Sequence, residues 1–561
     1  MTPAGSRPLP PGSEAHACFC TMGRDTRSHG PRFGAEDVLR NGRDLGPDAA
    51  RKQGVPKMKH AAAMLIIAMA VPGALAPVRA AAQDNAAPVD IGSRRELFWD
   101  DALLDTARTT AVLTLHHPRP AEVVMVSDEP WEGDGGGYYN LLNDDGLHRM
   151  YYLAGQQLNE DGTRLSSQPM VVCYAESRDG RTWVKPRLGI CDFRGMRENN
   201  ILLDGGAALF DNFSVFKDAN PACPPEERYK GVGVDGNDHF LWCFTSADGI
   251  HFAKAWRMTD KGKFDTLNIA FWDRHAGQYR CYIRDFHNVP GGDLNAGIRD
   301  VRWMVSADFR EWSDPVPLDF GGADDYPLYT NAAQPYYRAD HVFVGFPSRY
   351  VERGEWTGNY DQLPGAERRR ARMQGHPRFG LAVTDCVFMS SRDGASWKRW
   401  DEAFMTPGPE EEFNWVYGDC YPAVGMIETA NDRPGLPNEI SMYAAEGHWS
   451  MRHHQLRRHT LRVDGFVSLR APYKPAMAVT KPFIFSGKTL SLNFATSAMG
   501  YVRIKLVAAD RTLESAELFG DTLDRNVPFP GGDLAALAGA PVVMEITLRD
   551  ADLYSFKFNG E

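Results

Sequence analysis

Cysteine is scarce in this chain of 561 residues: there are nine, with no CxxC pair. Cys18 and Cys20 fall in the first 57 residues, and the remaining seven, Cys173, Cys191, Cys223, Cys243, Cys281, Cys386 and Cys420, are odd in number and widely spaced. That pattern defines neither a disulfide framework nor a structural zinc site, and it fits small buried apolar side chains. His453 and His454 are adjacent. On a strand, neighbours point to opposite faces, so one ion does not take both. No metal ligand set is readable, although a structural or central calcium ion is compatible with the sequence.

A long unbroken apolar run is missing as well. The best one, Ala61 to Ala76, is interrupted by Pro72 and Gly73 and followed by Pro77 and Arg79, short of the ~20 residues a membrane span requires. Positive charge is not in excess: Lys+Arg number 62 against Asp+Glu 73, a net charge of −11. Residues 1–82 carry 11 basic and 6 acidic side chains, and the remainder 51 and 67. A body that acidic repels phosphate backbones and anionic lipid, which argues against nucleic acid partners and stable membrane insertion. Helical periodicity is nearly absent, with Glu367 to Met373 the exception.

What is present begins with Lys57, Lys59 and His60 ahead of the Ala61 to Ala76 run, then Ala80 to Ala82, the three-part layout of a secretory signal peptide. Residues 58–82 are therefore expected to be a signal, with translation starting at Met58, residues 1–57 a mis-assigned or disordered leader, and a mature protein that is periplasmic or secreted.

A heptapeptide pattern recurs four times: Ser177 to Trp183, Ser246 to Phe252, Ser306 to Trp312 and Ser391 to Trp397, with the form Ser-x-Asp-Gly/Phe-x-x-aromatic. Each copy follows a β-type run and precedes another, which places it in a hairpin turn. There the Asp accepts backbone N–H groups and the Gly tolerates positive φ. The spacings of 69, 60 and 85 residues match one four-stranded sheet per repeat, the mark of a β-propeller. Early strands of each unit are expected at Tyr138 to Leu142, Asn212 to Phe216, Leu267 to Trp272 and Gln334 to Phe346. A fifth unit without a box spans Tyr421 to Val463. The expected fold is all-β, a five-bladed propeller within residues 88–465 followed by a small β-sandwich over 466–561.

An exported five-bladed propeller with a trailing sandwich resembles the glycosidase superfamily of invertases, fructanases, arabinanases and β-xylosidases. Asp90 to Asp100, Asp128 to Gly133 and Leu461 to Leu469 further resemble segments of exported bacterial proteins with this architecture. The resemblance implies a glycoside hydrolase acting on an environmental poly- or oligosaccharide. The superfamily's nucleophile and acid/base motifs are not present in their usual form, Arg284-Asp285-Phe286 being the nearest to its Arg-Asp-Pro.

In a propeller the inner strands of all blades start near the axis, so polar residues there converge. Glycoside hydrolysis uses two carboxyl groups, one protonated and the other ionised. Glu132, Asp211, Asp285 and Glu446 are the catalytic candidates, drawn from a set that also holds Asp134, Asp265, Asp325 and Asp419. Trp131, Asn212, Arg284, Asn331, Gln334, Arg349 and Trp449 are the candidates for binding sugar hydroxyls, faces or acidic groups. Gly133 and Gly135 to Gly137 suit close approach of backbone to a ligand. Two alternatives stand beside hydrolysis: a polysaccharide lyase with His287 or Tyr282 as base, and a carbohydrate-binding propeller without catalysis.

Overall fold

The computed structural model describes residues 87–560 apart from 135, 159–163, 205–209, 236–237, 239 and 451–453; the leader and signal expectations lie outside the described residues. The chain forms five antiparallel sheets arranged as successive blades. Their strands are, from the inside outward, Gly137–Asp144, Leu147–Leu158, Arg164–Ser177 and Ile201–Leu203 in blade 1, and Phe210–Lys217, Tyr229–Asp235, Leu241–Ser246 and Ala253–Thr259 in blade 2. Blade 3 has Ile269–Asp273, Gln278–His287, Ile298–Ser306 and Val316–Pro317. Blade 4 has Gln334–Tyr336, a second strand in two pieces (Ala339–Gly345 and Ser348–Glu352), Ala382–Ser391 and Lys398–Met405. Blade 5 has Tyr421–Pro422 and Ile427–Thr429 inside, then Glu439–Glu446 and Gln455–Arg462.

The outermost strand of blade 5 is Arg119–Val126, which precedes blade 1 in the chain. It closes the ring. The inner edge is latched too, Leu141 and Val424 donating backbone N–H groups to Val424 and Tyr139 at 2.7 and 2.8 Å. Because blades stack face to face, the middle strands bury both faces; Gln278–His287 and Glu439–Glu446 are buried at almost every residue.

All four boxes occupy the turn between the third and fourth strands of their blades. In each, the serine hydroxyl accepts the N–H of the fourth residue, and the Asp carboxylate accepts the N–H groups of the fifth and sixth. Three of them also join neighbouring blades: Tyr443 donates to the Gly180 carbonyl (2.5 Å), Tyr151 to that of Gly249 (2.9 Å) and Tyr282 to that of Gly394 (2.8 Å). A Cβ on those glycines would approach the phenol oxygens to 3.0, 3.0 and 2.7 Å, and each glycine has positive φ.

The third box carries Phe309 at that position, also at φ 65°. In blade 2 the residue in register with Tyr151 and Tyr282, three past the partner of the box serine, is Val232. The small side chain leaves room for the phenylalanine, and both are fully buried in one core. Val232→Tyr alone is therefore expected to overpack and destabilise by ~1–3 kcal/mol, and Phe309→Gly added to it to recover most of that loss, as read by denaturant melts.

The C-terminal residues supply six strands of an eight-stranded sheet with its own apolar core. Its two longest strands, Thr489–Val507 and Val543–Asn559, pair from Thr489↔Asn559 to Val507↔Val543. Arg95–Leu97 and Val112–Leu115, on the propeller side of the expected boundary, pair with this sheet and not with a blade. Two of the segments that carry the family resemblance, Asp90 to Asp100 and Leu461 to Leu469, make the junction. Asp464 is fully buried and accepts from Tyr336 (2.8 Å), Ser555 (2.7 Å), Arg338 (3.1 Å) and Asn493 (3.1 Å). The Trp99 ring packs edge-on against Tyr336, Phe388 and Phe466. No helix among the described residues is long and apolar enough to cross a membrane.

Candidate functional site

The longest break in blade 4, residues 353–381, carries three short helices, α1 (Gly358–Gln362), α2 (Ala366–Arg372) and α3 (Arg378–Leu381). Helix α2 is the segment whose periodicity is visible in sequence. It aims two buried guanidinium groups at blade 5: Arg369 donates to the carbonyls of Trp415 and of Asn414 (2.7 Å), and Arg372 to those of His448 and Trp449 (both 2.9 Å) and to Ser450 Oγ (3.1 Å). Burial pushes Arg372 down to about 10. The helix thus pins the two loops that enter and leave the first strands of blade 5.

Asp419 lies under these groups, two residues before the inner strand of blade 5. Its Oδ2 accepts the Val416 N–H (3.1 Å), and its Oδ1 is buried without a hydrogen-bond partner. Burial pushes this carboxyl up to about 7; the Val416 N–H, Arg372 and Arg369 pull it back, and neighbouring Glu446 adds to the rise. Glu446 is different in kind. It is about a third exposed, accepts from Arg457 Nε (2.6 Å) and Gln455 Nε2 (2.8 Å), and lines a cleft of 760 Å³ between blades 4 and 5.

Aromatic rings wall this end of the axis. Trp449 stacks on His448 (4.7 Å between centroids) and meets Tyr417 (4.9 Å) and, edge-on, Phe379 of α3 (4.8 Å). Tyr421 lies parallel to Tyr138 (6.4 Å), and Tyr138 and Tyr329 share a hydroxyl contact (3.0 Å). Tyr329 in turn donates to Asp265 (3.2 Å). The hydroxyls of Tyr350 and Tyr421 are buried with no partner. Tyr138, Trp415, Cys420 and Trp449 all have positive φ, which costs ~1–3 kcal/mol each for a non-glycine residue and concentrates where geometry serves a site.

Of the sequence candidates, Glu446 and Trp449 belong to this cluster, with Asp419 from the wider set. Glu132 does not open on a cavity: it is fully buried, its oxygens taken by Lys185 Nζ (2.7 Å), Tyr152 OH (2.6 Å) and the Glu129 N–H (3.0 Å). Trp131 is also buried and donates to Asn200 (2.7 Å), so it offers no stacking face. Gly136 serves packing, since a Cβ there would come within 2.8 Å of the His454 ring. Asp285 pairs with Arg302 (3.1 Å) between the second and third strands of blade 3. The side chain of Asp211 lies outside the described residues.

Asn212 is buried and ties blade 2 to blade 3, donating to the Phe264 carbonyl (2.6 Å) and accepting from Asn268 (3.1 Å). Asn331 caps its own turn at Ala333 (3.0 Å), and Arg349 forms a two-point pair with Asp385 (2.9 and 2.6 Å). Arg284 is buried against the Lys263 carbonyl (2.7 Å) and sits 3.6 Å from Asp265. Gln334 keeps a buried Nε2 without a partner. The lyase bases are compromised: Tyr282 is committed to Gly394, and His287 is bridged by Asp300 (3.0 Å) and Asp325 (2.8 Å), whose hydrogen bonds and charges outweigh burial and raise it toward the cationic form.

No protein family matches the chain, and no curated protein does. Solved structures similar to it include one described as a glycoside hydrolase (11% identity, TM-score 0.40, covering 64% of this chain and 95% of that one). Another is an N-acetylgalactosamine deacetylase from F. plautii in complex with blood group B trisaccharide (12%, 0.37, 62% and 94%). A third is a fructofuranosidase from Schwanniomyces occidentalis complexed with fructosylnystose (11%, 0.34, 80% and 98%).

Proposed function

We propose that this chain is an exported hydrolase of glycosidic bonds, with Asp419 as general acid and Glu446 as its ionised partner. The observation that carries the reading is the buried Oδ1 of Asp419, without a hydrogen-bond partner among the described residues and within electrostatic range of the arginine-held carboxylate of Glu446, together with a wall of aromatic rings. A protonated carboxyl donates to a leaving oxygen, while the ionised one activates water or attacks the anomeric carbon. A carboxyl raised by burial beside a second carboxyl held by a guanidinium suits that division of labour. Trp449 and Tyr417 offer apolar faces to a sugar ring, and the unpartnered hydroxyls of Tyr350 and Tyr421 offer hydrogen bonds to its hydroxyls. Export rests on the layout of residues 58–82, and an environmental poly- or oligosaccharide is the substrate class that goes with it.

The test is to incubate the purified chain with a panel of plant and algal glycans and to measure reducing ends, ultraviolet absorbance and bound sugar together. New reducing ends without ultraviolet gain are expected. An unsaturated, absorbing product would identify a lyase, and retained sugar without cleavage would identify a binding protein; either overturns the proposal.

A further inference from the structure

Away from the axis, His275, Asp340 and His341 meet where blade 3 abuts blade 4. The turn between the first two strands of blade 3 is set by buried Asp273, whose carboxylate accepts the N–H groups of His275 and Ala276 (both 3.1 Å) and so projects the imidazole outward. Asp340 and His341 open the second strand of blade 4. His275 Nε2 lies 2.8 Å from Asp340 Oδ1, and one ligand atom from each of the three residues lies within 4.8 Å of the other two.

A second observation points to a ligand. The His341 side chain is nine-tenths buried, and its Nε2 makes an ion-pair contact with the fully buried Glu96 Oε1 at 3.2 Å, off hydrogen-bond alignment; among the described residues neither atom has a hydrogen-bond partner. The other Glu96 oxygen is taken by Arg392 (2.8 Å). A buried carboxylate behind one ring nitrogen is how metal-bound histidines are oriented, because it fixes which nitrogen keeps its proton and raises the basicity of the other.

We propose that His275, His341 and Asp340 form a binding site for a divalent cation of the zinc class, with Glu96 orienting His341, and that the ion staples blade 3 to blade 4. Two imidazoles and one carboxylate are a donor set that suits Zn²⁺ better than Ca²⁺ or Mg²⁺, which prefer oxygen ligands alone. At bond lengths of ~2.1 Å, tetrahedral ligands stand ~3.4 Å apart. His275 Nε2 and Asp340 Oδ1, 2.8 Å apart, therefore part by about half an ångström while the wider separations, up to 4.8 Å, close, movements open to the half-exposed His275 and Asp340 (46% and 48%). The site is independent of the hydrolytic reading, since none of its residues touches Asp419 or Glu446.

Sequence spacing does not reveal the set, because His275 and His341 are 66 positions apart in different blades. The test uses the full chain freed of metal by a chelator and titrated with Zn²⁺ alone. One equivalent is expected to bind, to raise the melting temperature by several degrees, and, with Co²⁺ in its place, to give the intense visible absorption of a four-coordinate ion. His275→Ala and Asp340→Asn, both at solvent-exposed positions, should leave the metal-free melt unchanged and weaken binding at least tenfold. His251→Ala, which removes an exposed His–Asp pair elsewhere, should change nothing. Absence of stoichiometric binding, or binding indifferent to His275→Ala and Asp340→Asn, overturns the proposal.

Discussion

Asp419→Asn should lower turnover on a cleaved glycan by ~10²- to 10⁴-fold with the fold intact, the loss expected when a general acid is removed. The amide keeps the shape of the carboxyl and has no proton to give. The pH dependence separates this from a structural effect. Asp419 is held up near 7 by burial, so the wild-type rate should fall as pH rises through that value and the acid loses its proton. The residual rate of the variant should lack that limb. Stability runs the same way: a carboxyl raised in the folded state contributes stability fully below its unfolded value of 3.8, and that contribution is lost as pH rises toward about 7. The variant should therefore melt at least as high as wild type at pH 8. A flat wild-type profile between pH 6 and 8, or a variant with near wild-type rate, would remove Asp419 from the chemistry.

The largest stability effect is expected at Lys185→Met. Its ammonium holds the fully buried Glu132 carboxylate at 2.7 Å, and without it that charge keeps only the Tyr152 hydroxyl and one backbone N–H. Breaking a buried pair from one side costs ~3–5 kcal/mol, because the remaining ion is left desolvated and uncompensated. Glu132→Gln should cost less, since Lys185 keeps Asp128 (2.8 Å) and the Val126 carbonyl (2.7 Å). Replacing both by Lys185→Met and Glu132→Leu should restore most of the loss. Rate per folded molecule should stay unchanged throughout, in contrast with Asp419→Asn. Denaturant titration beside activity on the same samples reads both quantities. A catalytic collapse in Glu132→Gln with unaltered stability would return that residue to the active site.

These two residues show how far sequence reasoning reaches. Both Glu132 and Asp419 stand near the start of an inner strand and beside aromatic residues, so composition and position treat them alike. Their difference lies in Lys185 and in Arg369 and Arg372, partners tens of residues away that only folding brings within reach. The glycines around residue 135 illustrate the same point. They read as a ligand cradle, and Gly136 instead clears space for the ring of His454, more than 300 positions later.

What the sequence determined by itself is what operates within a few residues. In the four boxes the hydrogen bonds they share span two or three positions, so the pattern carries its geometry with it. Four turns spaced by a sheet's length of chain are enough to announce repeated blades. The first four blades follow from that, and the fifth from the strand pattern of Tyr421 to Val463.

Tertiary structure alone decided which carboxylates are paired and which is left protonatable. It likewise decided that Arg95–Leu97 and Val112–Leu115 complete the C-terminal sheet, and that the helix of the blade 4 insertion pins the loops of blade 5. The physical reason is that a turn is settled by local hydrogen bonds, whereas the ionisation and reach of a buried group depend on desolvation and on charges supplied from distant segments, which no stretch of sequence contains.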